Sequence, residues 1–274
     1  MKVSDYANQL PPSSRLTALR ELLIEKDLPA PIDLFRQTIR NVTDFGTQDI
    51  LDKHEFLGGI LVLRLIAATE TYVRSVLSSC MQMCPLCQAH AATQRLNFGG
   101  VIWHGKDGFG KSAFDDISFS SAENLTGNMK KFINFKMEDA QYKEILKEYD
   151  NICHLRHAIV HNDGFLPGKN AVQLDIPRYN GPVYIFVKYK HLQEIAAIVN
   201  SLVLTLNRDL FDFMCKRWAI DWRSRADWDD SDAERRFSAI WRVFHSKNDL
   251  KFRKGRSNIT RLKCMNRVKI EYDL

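Results

Sequence analysis

Asn151-Ile152-Cys153-His154-Leu155-Arg156-His157-Ala158-Ile159-Val160-His161-Asn162-Asp163-Gly164 decides how this chain is read. Extended backwards, Ile145, Tyr149, Ile152, Arg156 and Ile159 recur in a four-three rhythm, the signature of one helix face. The spacing predicts a long helix from about Asp139, and Asn162-Asp163-Gly164 is a strong stop signal. Arg156 stands on the stripe otherwise held by apolar side chains. A guanidinium carried towards a core needs an anion, either a carboxylate such as Glu70 or a phosphate from outside. His161 falls at the helix end, where an imidazole can give and take a proton near neutral pH. An arginine that holds a phosphate beside such a histidine suits RNA cleavage. The histidine takes the proton of the ribose 2′-hydroxyl, which attacks the adjacent phosphate, and the arginine stabilises the charge that builds on oxygen. No metal or other cofactor is needed, and DNA, lacking that hydroxyl, is spared. Five residues on an ideal helix set Arg156 and His161 roughly 140° apart. Fraying of the helix end, or a second copy of the helix across a dimer interface, closes that gap, and the dimer is the favoured solution.

Working outward, residues before 46 predict two short helices, one from Ser14 to Glu25 capped by Ser13 or Ser14, the other from near Ile32 to before Gly46. A long helix follows from about Gln48 to Met81, with Leu57, Ile60, Leu61, Leu65, Val73, Val76 and Leu77 at helical spacing and Glu70 within it. Residues 82–135 read as loops and short helices. After the Arg156–His161 helix, Val172–Ile176 and Val183–Val187 alternate about Asn180-Gly181, which predicts a β-hairpin. A fourth long helix runs from about His191 to Phe213. Beyond it Trp218, Trp222, Trp228 and Trp241 sit among many charges, and Lys247–Lys269 is rich in Lys and Arg. That basic run, with Trp241, Phe252 and Tyr272 nearby, reads either as a track for an RNA backbone or as a solvated face.

This order of elements, and Arg156 with a polar follower and His161 at the end of the third long helix, resembles the Arg-to-His motif of the HEPN superfamily. The resemblance covers about residues 48–213 and extends to Asn162-Asp163-Gly164. It implies a mainly α fold, a HEPN-like helical bundle with a small β-hairpin after the third core helix. Residues 1–47 would form an N-terminal helical extension and residues 214–274 a Trp-containing, basic C-terminal extension. It implies Arg156 and His161 as catalytic residues, His157 and Asn162 assisting, and Glu70 as an acid from the second long helix that joins the site. It also implies a homodimer acting on RNA as a toxin or anti-phage effector, restrained by an antitoxin or sensor protein. A non-catalytic RNA-binding or regulatory module on the same fold is the alternative.

Other signals compete. Cys80, Cys84, Cys87 and His90 have the spacing of a structural zinc site, against a reading as buried small apolar groups. His154, His157 and His161, with Cys153 near, share a helix face and could bind a metal. Gly105–Ser112 matches the phosphate-binding loop pattern literally, yet Gly99–Trp103 is a poor strand to precede it, and a flexible basic loop is the preferred reading. The 274 residues hold 39 Lys and Arg against 33 Asp and Glu, a net +6 that leans mildly towards anionic partners. The start of the chain lacks the apolar core of a signal peptide, and the apolar stretch Phe56–Ala68 is short for a bilayer and contains Arg64. A cytoplasmic protein with reduced cysteines and no membrane partner is expected.

Overall fold

A computed structural model describes residues 15–248 and 259–274. The chain start, the Ser13 or Ser14 cap and Phe252 lie outside the described residues. The described residues are mainly helical, and no strand forms among them.

The first α-helix, α1 (Pro31–Phe45), opens with proline at its first position, where the missing N–H costs nothing. Next come α2 (Gln48–Lys53) and α3 (Glu55–Met83). The single helix expected from Gln48 is interrupted at His54, whose φ −134° and ψ 83° leave the helical region. α3 is the central element and packs on α1, α8 (Ala140–His161) and α10 (Tyr189–Lys216). Its 29 residues run well past Phe56–Ala68. Among the described residues it is the one helix long and apolar enough to cross a membrane, and 56% of its most apolar window is buried inside the protein. Gly58 and Gly59 bring its first turns against Val187 and Ile159.

Residues 82–135 hold four helices where loops and short helices are expected: α4 (Pro85–His90), α5 (Phe98–His104), α6 (Phe109–Ser112) and α7 (Ala122–Ile133). Gly105–Ser112 follows a helix rather than a strand, so the sheet that a phosphate-binding loop requires is not there.

The expected β-hairpin does not form. Gly168–Gln173 is helix α9, and Val172, meant for a strand, is 76% exposed. Pro167 precedes α9, and buried Asn170 donates through its amide nitrogen to Nδ1 and the carbonyl of His154, both at 3.2 Å. That anchorage on α8 outcompetes a free-standing two-stranded ribbon. The second predicted strand pairs elsewhere: Leu166 N donates to Val183 O at 2.8 Å and Ile185 N to Gly164 O at 2.9 Å, giving a lone antiparallel bridge between Phe165 and Tyr184.

One continuous core extends from Ile32, Phe35 and Val42 of α1 through α3, α8 and α10 to Trp218, then Phe237, Ile240 and Phe244 of α11 (Ala233–Phe244). That core includes residues on both sides of positions 47 and 213. The last helix, α12 (Arg261–Glu271), lies against α11.

Candidate functional site

The C-terminal turns of α8 carry Arg156, His157 and His161. Their position follows from two contacts: Ile159 sits over Gly59 of α3, and the helix ends where Asp163 (φ 50°) and Gly164 (φ 85°) turn left-handed. A Cβ on Gly164 would also press into the Tyr184 ring. The helix therefore stops at one residue and leaves His161 in the last turn.

Arg156 is half-buried, less deeply than its place on the stripe suggests, and its guanidinium has no hydrogen bond or ion pair among the described residues. His157 and His161 are exposed, one helical turn apart, with ring centroids 4.6 Å apart. His157 thus bridges the angular gap between Arg156 and His161. Partial desolvation first, then the neighbouring His161 and Arg156, lower the His157 pKa below its usual 6.5. An imidazole so placed is neutral near pH 7 and able to accept a proton. Asn162 is exposed and caps the helix through its backbone N–H, bonded to Ala158 O.

Glu70 is not brought to Arg156. Taking Gly59 opposite Ile159 as register, the two lie about 12 Å apart along the helix axes. Glu70 instead accepts from Phe119 N at 3.1 Å and Ser118 Oγ at 3.4 Å. Buried Tyr149 of α8 donates to Phe119 O at 2.9 Å. Together they clamp both backbone groups of Phe119.

The metal readings fare differently from the arginine. His154 is engaged by Asn170 and by Asp150 (3.7 Å). Cys80, Cys84 and Cys87 do converge and are all buried, but the His90 ring turns to the carbonyl of Lys130 at 3.0 Å. The position facing Cys87 is filled by a cation, Arg217, whose Nη1 donates to Cys87 Sγ at 3.0 Å. Among the described residues no group of three or more His, Cys, Asp or Glu is placed to hold a metal ion.

Arg217 was not singled out by sequence, although the signal existed. Leu206, Leu210 and Met214 continue the buried stripe of α10, and Arg217 falls next on it, the same pattern that marks Arg156. Cavities of about 760 and 630 Å³ lie along α11, at the other end of α3 from His161, and involve Trp241, Arg235 and Arg242. No protein-family model, curated protein or solved structure matches this chain.

Proposed function

We propose that this chain is a metal-independent endoribonuclease of the HEPN type, working as a homodimer in the cytoplasm as a toxin or anti-phage effector. The observation that carries the reading is the Arg156 guanidinium, without a hydrogen bond or ion pair among the described residues, beside the His157–His161 pair at the exposed end of α8. A phosphodiester would supply the anion that the protein does not. With the phosphate on Arg156, one imidazole takes the 2′-hydroxyl proton as the oxygen attacks phosphorus. The other protonates the departing 5′-oxygen, and the products are a 2′,3′-cyclic phosphate and a 5′-hydroxyl. The lowered pKa of His157 fits the proton-accepting role. The exposed apolar residues Ile60 and Val160 flank the Gly59–Ile159 contact, and Phe56 and Phe165 are also exposed nearby in sequence. Such an apolar rim suits a second copy, which would place two arginine–histidine sets across one cleft.

The test is incubation of the purified chain with RNA in EDTA. Cleavage leaving 2′,3′-cyclic phosphate ends is expected. It should fall roughly 10²–10⁴-fold in His161→Ala and 10²–10³-fold in Arg156→Ala. Cleavage that requires added metal, or that survives both substitutions, refutes the reading.

The second reading, an RNA-binding module without cleavage, is favoured by a different observation. Trp241, Arg235, Arg242 and Arg261 line the α11 cavities, a pairing of aromatic and cationic groups that suits a single-stranded backbone. Intact RNA bound in a manner lost with Arg242→Ala would select it.

A further inference from the structure

Arg217 is 8% exposed, yet no carboxylate contacts it among the described residues. Its Nη1 donates to Cys87 Sγ at 3.0 Å and its Nη2 to Ile133 O at 2.9 Å, and the guanidinium lies 4.3 Å from the Phe213 ring centroid. A buried guanidinium without a counter-charge is strongly disfavoured. Among the described residues, the ionisable groups placed to supply one are thiols: Cys80, Cys84 and Cys87, each 0% exposed. Cys84 precedes α4 in extended backbone and Cys87 lies in its first turn, which sets the two thiols at the same end of the helix. A disulfide needs Cα atoms roughly 4.4–6.8 Å apart, the range that residues three apart at a helix start provide.

We propose that Cys84 and Cys87 are a reversible dithiol–disulfide couple whose reduced form is held by the buried guanidinium of Arg217. One proton is shared between the two sulfurs. The hydrogen bond from Cys87, aided by backbone N–H groups and by Arg217 against the opposing effect of burial, brings Cys84 down to about 6. The same hydrogen bond and burial push Cys87 up. Cys80 is pushed up by burial and stays a thiol. Arg225, also in range of Cys84, carries the same sign as Arg217.

A cavity of about 340 Å³ lies beside the couple, lined by Met83 and Pro85, the chain neighbours of buried Cys84, with Arg235, Arg236, Arg242 and one acid, Asp227; a local opening at Pro85 exposes the sulfur to it. Its arginines suit an anionic co-reactant, and a low-molecular-weight disulfide bearing carboxylates meets the requirement. The Cys84 thiolate attacks one sulfur of that disulfide, forms a mixed disulfide and expels one thiolate. The second protein thiol then loses its proton and attacks the mixed disulfide at Cys84 sulfur, expelling the second thiolate. Two protein thiols are oxidised by two electrons, and one small disulfide is reduced to two small thiols. Oxidation removes the negative charge beside Arg217 and leaves it with one carbonyl and one ring. The loop closed is only one helical turn, so little chain entropy is recovered. This couple therefore loosens the junction of α4 with the end of α10 when oxidised. It is independent of the ribonuclease reading, since Met83 and Gly59 are about 36 Å apart along α3.

The thiol held at about 6 instead of 9.0 makes the reduced form up to about tenfold more favourable at pH 7. The full chain is equilibrated at pH 7 in glutathione buffers of graded reduced-to-oxidised ratio, quenched in acid, alkylated and mapped by peptide mass. The expected product is a Cys84–Cys87 link, and Cys87→Ser should trap glutathione on Cys84. In Arg217→Met the disulfide should persist to more reducing ratios, by only part of that tenfold, since the interaction with Cys87 lowers the Cys84 pKa more than Arg217 does. The oxidised wild-type protein should melt below the reduced one. Continued alkylation of both cysteines across the range, a link through Cys80, an unmoved midpoint in Arg217→Met, or a higher melting temperature on oxidation each overturns the proposal. If Arg217→Met does not fold, the wild-type link and its melting shift decide.

Discussion

Gly58 and Gly59 are adjacent in α3, and the structure gives them opposite fates on substitution by alanine. Both should gain about 1 kcal/mol of helix propensity. A Cβ on Gly58 collides with the carbonyl oxygen of Val187, and lies 2.8 Å from the Val187 Cβ and 3.1 Å from its carbonyl carbon. Ordinary carbon contacts begin near 3.5 Å, so the 187 backbone must retreat by roughly 0.5–1 Å. That backbone leads directly into α10 and cannot rotate away as a side chain would. Overpacking of this kind costs about 1–3 kcal/mol, leaving Gly58→Ala destabilised by a net of up to about 2 kcal/mol. A Cβ on Gly59 meets first the Ile159 Cγ2 at 3.3 Å, then other Ile159 side-chain atoms at 3.7 Å, all of them able to shift by tenths of an ångström. Gly59→Ala should be neutral or stabilising by up to about 1 kcal/mol. Thermal melts of the two variants should diverge by several degrees, since about 1 kcal/mol moves the midpoint by 2–4 °C in a chain somewhat smaller than this one. Equal melts, or a Gly59 variant less stable than the Gly58 variant, would refute the packing that sets α8 on α3 and with it the placement of His161.

Three further outcomes follow. His157 should titrate below 6.5 by NMR, and His161→Gln should raise its pKa. Because the unfolded chain then binds more protons, this residue erodes stability as pH falls through 6.5 and below, and does not do so above it. Tyr149→Phe leaves the buried Phe119 carbonyl without its donor and should cost about 1–2 kcal/mol in urea unfolding, with helical circular dichroism unchanged. Val160→Asp places a charge on a residue already 43% exposed, so folding should be preserved while sedimentation shifts from dimer to monomer and RNA cleavage drops; a variant that stays dimeric removes this face from the dimer model.

What was legible in the sequence was what local interactions decide. The start of α8 near Asp139 and its stop at Asn162-Asp163-Gly164 are written in cap and left-handed residues, and the helix ends where they say. The span of α1 is legible for the same reason, with Pro31 at its start and Gly46 at its end. The rest depended on partners distant in sequence. Val172, Leu174 and Ile176 alternate like a strand, but Asn170 finds His154 and the segment winds into α9. Leu16, Leu19, Leu22 and Leu23 have helical spacing, yet only a 3₁₀ turn at Leu19–Leu22 forms and the four remain exposed. A helix of that length is marginal without a face to pack on. Glu70 was offered as a carboxylate for Arg156 and, through the resemblance, as an acid of the site; in the structure it bonds Phe119 N and Ser118 Oγ instead.

The candidate site was read from one unusual cue, a guanidinium on an apolar stripe, and the same cue recurs at Arg217. Arg217 on α10 is buried deeply, and the fold answers it with the thiol of Cys87, a carbonyl and an aromatic ring. Arg156 on α8 is buried only halfway, and among the described residues no side chain or carbonyl forms a hydrogen bond or ion pair with it. Full burial demands an internal partner, because the desolvation penalty cannot otherwise be met. Half-burial at a helix end relaxes that demand, since water can satisfy the guanidinium until an anion displaces it. The two arginines thus separate by depth into a group that holds the fold's own sulfur chemistry and a group kept open to solvent beside two imidazoles. That separation, more than the spacing of Arg156 and His161 along the chain, is why the end of α8 is the place where an external phosphate should bind.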